Sequence, residues 1–215
     1  LKKSIDEIRK QLEVKQRLIK TEIDGGTEIF HKLSMDCDAP PNNLHWVGRK
    51  SELVEFDNND YKVIFISGIG GQGKSGLASY YIKAAVIQDK IWEYWDWRDC
   101  QEKENRIHTK IISIICRLSN GRIHPKHISD GTIEELISLM FQELGKRRII
   151  FVFDNIDAYI EFENFHLTGA VKLLYNSALN REHYSKFIFT CRTSINDIHP
   201  ELLSIKLEGL NELET

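Results

Sequence analysis

Long apolar runs, a basic surplus and paired cysteines are all missing from this 215-residue sequence, and each absence closes a class. No segment approaches the roughly eighteen apolar residues that a membrane-spanning helix needs. No basic segment followed by an apolar one marks a secretory leader, so the expected location is the cytoplasm, with no membrane partner. The formal net charge of −3 speaks against direct nucleic-acid binding, which usually comes with a basic excess, although local basic patches stay open. Cys37, Cys100, Cys116 and Cys191 are scattered with no C-x-x-C pair, which argues for neither zinc nor a disulfide framework but for free thiols in a reducing compartment. The eight histidines show no metal spacing such as H-E-x-x-H. Internal repeats and low-complexity tracts are absent too.

What is present is ordinary globular material, 41% hydrophobic and 28% charged, long enough for one large α/β domain with a small appendage. Leu1, Ile5, Ile8, Leu12, Ile19 and Ile23 fall at helical spacing, so residues 1–24 read as an amphipathic helix. It either packs on its neighbour or connects to a preceding domain. Asp24-Gly25-Gly26 stops it, and 25–44, with Ala39-Pro40-Pro41-Asn42-Asn43, has linker composition. From 45 to 208 strand patterns alternate with helix patterns. Strands are predicted at Tyr61–Ser67, Trp92–Trp97, Ile149–Phe153, Lys186–Thr190 and Leu203–Leu207. Helices are predicted at Gly76–Ala85, Asn105–Leu118, Thr132–Leu144 and Leu167–Leu179. This alternation implies a parallel sheet covered on both faces, whose strand carboxyl ends converge on one place. Because the chain starts with leucine and 209–215 opens an element that does not develop, the sequence reads as a piece of a longer protein.

Gly68-Ile69-Gly70-Gly71-Gln72-Gly73-Lys74-Ser75 is a full G-x-x-x-x-G-K-[ST] phosphate loop, followed by Gly76 at the head of a helix. Its glycines let backbone N–H groups turn inward around a polyphosphate. Lys74 supplies a point charge at the β/γ-phosphates, and the Ser75 hydroxyl suits Mg²⁺. A strand running in and a helix running out give the motif its context. Asp154 closes the apolar strand Ile149–Phe153 about eighty residues after Lys74, where a carboxylate can hold Mg²⁺ through water. Asp157 is the candidate for orienting or deprotonating an attacking water, or else a turn aspartate capping the next element. Arg192, after Thr190-Cys191, is placed to read a terminal phosphate, or else makes a surface ion pair. Cys191 reads as a small buried residue rather than a nucleophile. Ser51 is a candidate cap for a helix opening after Gly48. Trp92, Trp95 and Trp97 read as buried strand packing, with stacking on single-stranded nucleic acid as the alternative.

The order of these motifs resembles the STAND class of signal-transduction NTPases, and in particular the NB-ARC and NACHT-like domains of immune and cell-death regulators. The resemblance covers Trp46 to the C-terminus. Val47-Gly48-Arg49 with Glu52-Leu53 is similar to the family's adenine-side motif, which would put the backbone near Val47 on the base and Arg49 near the nucleotide. Phe153-Asp154-Asn155-Ile156-Asp157 is similar to its second motif and Phe189-Thr190-Cys191-Arg192 to its T-[TS]-R sensor. Leu207–Leu213 resembles the crossing into a small helical domain, so 209–215 would be the start of a truncated one. One departure is Asn155, where members of the family often carry a second acid. The resemblance implies a three-layer P-loop fold with a five-stranded sheet in the order 5-1-4-3-2, counted along the chain. It also implies ATP/ADP and Mg²⁺ as cofactors and slow hydrolysis. The partners implied are the nucleotide, other copies of the same domain, an N-terminal effector and a C-terminal sensor. A bacterial anti-phage or eukaryotic innate-immune setting fits. A motor or DNA-processing ATPase of the wider AAA+ group and a non-hydrolysing nucleotide-binding scaffold remain the alternatives.

Overall fold

The computed structural model describes residues 37–42, 46–58, 60–88, 91–101, 105–161 and 163–209. The N-terminal helix predicted over 1–24 lies outside the described residues, as do most of the linker and nearly all of 209–215. The described chain runs α1 (Lys50–Phe56), β1 (Val63–Ser67), α2 (Lys74–Gln88), β2 (Tyr94–Asp99), α3 (Asn105–Leu118), α4 (Ile133–Leu144) and β3 (Ile149–Asp154). A 3₁₀ turn over Ile156–Tyr159 follows, then β4 (Ile160–Glu161), β5 (His166–Leu167), α5 (Gly169–Asn180), β6 (Lys186–Cys191) and β7 (Leu202–Lys206). None of the described helices is long and apolar enough to cross a membrane.

Five strands form one sheet in the order β2-β3-β6-β1-β7, every neighbouring pair parallel. This labelling differs from the expected 5-1-4-3-2 because the small antiparallel hairpin β4-β5, which the sequence did not reveal, lies between β3 and β6 in the chain. With the hairpin set aside, the sheet strands read 2-3-4-1-5 in chain order, the same neighbours taken from the opposite edge. Every residue of the three inner strands is buried, as continuous apolar runs require of strands covered on both faces.

Successive residues divide the core in two. Phe65, Phe151, Phe153, Phe187 and Phe189 face α3, α4 and α5. There Phe151 stacks on Phe187 at 4.9 Å and Phe153 on Phe189 at 5.4 Å. Ile64, Ile66, Ile150, Val152 and Ile188 face α1 and α2, where Trp95 and Trp97 join Leu77 and Ile82. With Trp95 at 3% and Trp97 at 1% exposure, these indoles are core packing and offer no face to a nucleic acid.

Boundaries follow local chemistry. Thr132 caps α4 through a reciprocal pair with Glu135, each side chain satisfying the other's backbone N–H. The helix predicted to open at Leu167 begins instead at Gly169, because Leu167 pairs with Ile160 in the hairpin. Ser51 does not cap α1. The helix starts one residue earlier, Arg49 occupies the cap position in the left-handed conformation, and the Ser51 hydroxyl donates to Glu52.

Candidate functional site

Because all five strands are parallel, their carboxyl ends gather at one pole, and β1 delivers the chain there into the Gly68–Gly73 loop. Gly71 and Gly73 both have φ +85°, a conformation that L side chains rarely adopt. Gly68 is fixed by a close approach: a Cβ there would lie 2.7 Å from the Leu207 carbonyl oxygen, beside the Gln72 side chain. Lys74 is 8% exposed, and its ammonium donates to the carbonyls of Gly68 at 2.6 Å and Ile69 at 3.1 Å. The loop thus coils around its own lysine. Gln72 Oε1 is left buried with no hydrogen-bond partner. α2 opens at Lys74, so its first-turn N–H groups, which lack intrahelical acceptors, carry the positive end of the helix to the loop.

Behind the loop, Ser75 donates to Asp154 Oδ1 at 2.8 Å. Asp154 is 4% exposed, and burial pushes its carboxyl above the ordinary range, while hydroxyl donors from Thr190 and Ser75 pull the other way. Thr190 Oγ1 in turn accepts the Asn155 N–H at 3.0 Å. Asn155 sits in the left-handed region at φ 59°, which asparagine tolerates. Its amide nitrogen donates to Asp99 Oδ1 at 3.2 Å and to Asp154 Oδ2 at 3.3 Å. An acid at 155 would have faced two carboxylates; the amide bridges them. Asp99 and the anchoring role of Thr190 escaped the sequence reading, since each belongs to the site only through register: Asp99 pairs with Asp154 across β2 and β3.

Ser75 and Asp154 are hard oxygen donors side by side, which fits Mg²⁺. Among the described residues there is no cluster of three or more His, Cys, Asp or Glu that could hold a metal alone.

Register pairs Ser67 with Cys191, so the following residue, Arg192, stands across from Gly68 where the loop begins. Its side chain is exposed, and its backbone N–H donates to Asp157 Oδ1 at 2.8 Å. Asp157 therefore caps no following element: it lies inside the Ile156–Tyr159 turn, and one carboxylate oxygen holds the distant Arg192 turn. Ser67 and Ser194 hydroxyls meet at 2.9 Å, a second tie between β1 and the Arg192 turn that no sequence signal marked. Cys191 is fully buried and its thiol is pushed up to about 12 by burial, so it is protonated at neutral pH and is no nucleophile.

On the other side, Gly48 (φ 77°) and Arg49 (φ 58°) form a left-handed turn, with Trp46 stacked on Tyr80 of α2 at 5.2 Å and Val47 half exposed. Arg49 is buried. Its guanidinium pairs with Glu52 at 3.1 Å and also donates to the backbone carbonyl of Glu208. Glu208 follows Leu207, whose N–H donates to the Ser67 carbonyl at 2.7 Å. The Val47-Gly48-Arg49 turn is thereby fastened to the rim of the phosphate loop.

Comparison with known proteins bears on this arrangement. The NB-ARC domain family model matches residues 49–200. No curated protein matches. Among solved structures, a chain of the E. coli MS115-1 HORMA:CdnC:Trip13 complex is similar at 14% identity, over 95% of this chain and 63% of that one, with a TM-score of 0.36. This chain thus spans less than two thirds of that relative's length, and so loose a likeness carries no functional weight.

Proposed function

This chain belongs to the NB-ARC domain family, the nucleotide-binding P-loop NTPases of the STAND class, and from that premise we propose that it is an ATP/ADP switch with slow hydrolysis. The observation that carries the reading is the Ser75–Asp154 pair, 2.8 Å apart, directly behind a loop whose lysine is turned onto its own carbonyls. On binding, Lys74 exchanges the Gly68 and Ile69 carbonyls for phosphate oxygens. Gly68, Gly70, Gly71, Gln72, Gly73 and Gly76 supply the surrounding backbone. Ser75 and Asp154 would hold Mg²⁺, which would supply charge neutralisation for the bound phosphates. Val47, Gly48 and Arg49 lie on the adenine side. Arg192 reads the γ-phosphate, and Asp157 orients the attacking water with the oxygen that does not hold the Arg192 turn.

ADP would keep the longer protein closed, and ATP would favour an open form that associates through this domain. The shift can be no larger than the difference in affinity between the two forms. Connection to an N-terminal effector and a C-terminal sensor, in immune or anti-phage signalling, completes the proposal. Asn155 in place of a second acid favours one further reading, a scaffold that binds nucleotide without hydrolysing it.

Denaturing the purified protein and identifying the released nucleotide by chromatography tests the switch directly. Stoichiometric ADP is expected; an empty site in the full-length protein would count against a closed resting state. Lys74→Ala should weaken ATP binding by at least about a hundredfold, the loss of a charge-assisted contact in a shielded site. Ordinary affinity in that variant would remove the phosphate-loop assignment.

A further inference from the structure

The pole opposite the phosphate loop holds a second basic site. A cavity of about 620 Å³ opens there, between the loops that precede β1, β2, β3 and β6. Four cationic side chains line it, Lys62, Lys146, Arg148 and Lys186, against the single carboxylate of Glu182. This local excess stands out on a chain whose net charge is −3. Lys62 is answered by Glu201 at 2.8 Å. Lys186, 2% exposed, donates to the backbone carbonyls of Phe56 and Asn58. Lys146 has no ion pair among the described residues, and the Arg148 guanidinium lies over the Tyr184 ring, 5.4 Å from its centre. Tyr184 is half exposed, so part of it is accessible from the cavity it lines. His183 is 6% exposed, and its Nε2 donates to the Ala178 carbonyl at 2.7 Å, which fixes the ring in the cavity wall.

We propose that this cavity binds a small phosphate-bearing molecule with a flat ring, of mononucleotide type, at a site separate from the phosphate loop. The volume suits such a ligand, since small-molecule sites run from about 300 to 1,000 Å³. Lys146 and Arg148 provide unneutralised charge for a phosphate, and Tyr184 provides a stacking surface. Separation follows from topology. Strands of five or six residues put the two poles about 17–20 Å apart. One mononucleotide cannot reach both.

The probe is AMP, titrated calorimetrically into the Lys74→Ala chain so that the phosphate loop is silent, with adenosine and inorganic phosphate as fragments. AMP should bind more tightly than either fragment and shift the backbone amide signals of residues 145–148 and 182–186. Removing Lys146 and Arg148 together, as Lys146→Ala with Arg148→Ala, should weaken AMP at least about tenfold. Glu182→Gln removes a like charge from the cavity and should tighten AMP by about threefold, a gain that a misfolded variant could not show. No AMP binding, phosphate binding as tightly as AMP, or affinity unchanged in both variants would each overturn the proposal. Because the phosphate loop is disabled throughout, failure here leaves the switch untouched, and failure of the switch leaves this site standing.

Discussion

Asp157 shows how much one carboxylate is asked to do. Oδ1 holds the Arg192 N–H at 2.8 Å, and only the other oxygen remains for water. Asparagine keeps an acceptor for the backbone N–H but removes the charge, so Asp157→Asn separates that contact from the proposed role in orienting water. ATP turnover should fall by about 10²–10³, the range for a lost acid–base group, with ATP affinity within about twofold of the parent. Unchanged single-turnover rates would leave Asp157 only its positioning role. Legibility at this scale depended on contiguity. Gly68–Ser75 is one uninterrupted string and could be read whole, and Asp154 closes an unmistakable apolar run. Asp99, Ser194 and the anchoring role of Thr190 were invisible because only contacts distant in sequence bring them to Asp154, Asn155 and Ser67. The cap assigned to Ser51 failed for a related reason. Arg49 reaches a carbonyl 159 residues away, and that long-range contact, rather than a local hydroxyl, fixes where α1 starts.

Strand β2 carries a polar device that apolar pattern alone does not show. Trp95 and Trp97 point to the α2 face, and between and beyond them Asp96 and Arg98 are buried at the sheet edge. Arg98 grips Asp96 with two nitrogens, at 2.5 and 2.9 Å, and Arg117 of α3 adds a third contact at 3.2 Å while lying over the Tyr94 ring. Burying such a cluster confers little net stability, but removing one member strands the others. Asp96→Ala should lower unfolding stability by about 3–5 kcal/mol in urea titrations. Asp96→Leu combined with Arg98→Met should recover much of that loss, and equal loss in both variants would contradict the account. The longer elements were legible because their apolar runs or stripes exceed one turn. The β4-β5 hairpin was not, since two residues per strand carry no period.

For the molecule as a whole, the buried lysine makes stability respond to pH in an unusual direction. Burial pushes the Lys186 ammonium down from 10.5 to about 8, with Asp57 opposing only in part. Below pH 8 both folded and unfolded chains hold the proton, and the full cost of desolvation stands. Between about 8 and 10.5 the unfolded chain binds more protons, so the contribution of this site to stability rises with pH. Relative to Lys186→Met, the wild-type chain should gain on the order of 2 kcal/mol from pH 7.5 to 10, read from paired denaturation curves. A difference that stays flat with pH would place the folded-state pKa near the ordinary value.

Arg49 joins the chain just before α1 to the chain just after β7, and Leu207 sits against Gly68 at the start of the phosphate loop. These contacts make a latch in the mechanical sense. Tension applied beyond Gly209 would be borne first by the Arg49 guanidinium and the Leu207–Ser67 hydrogen bond, before any strand of the sheet was loaded. The nucleotide pocket and the outgoing chain therefore share one fastening, and whatever tugs the latter loosens the former.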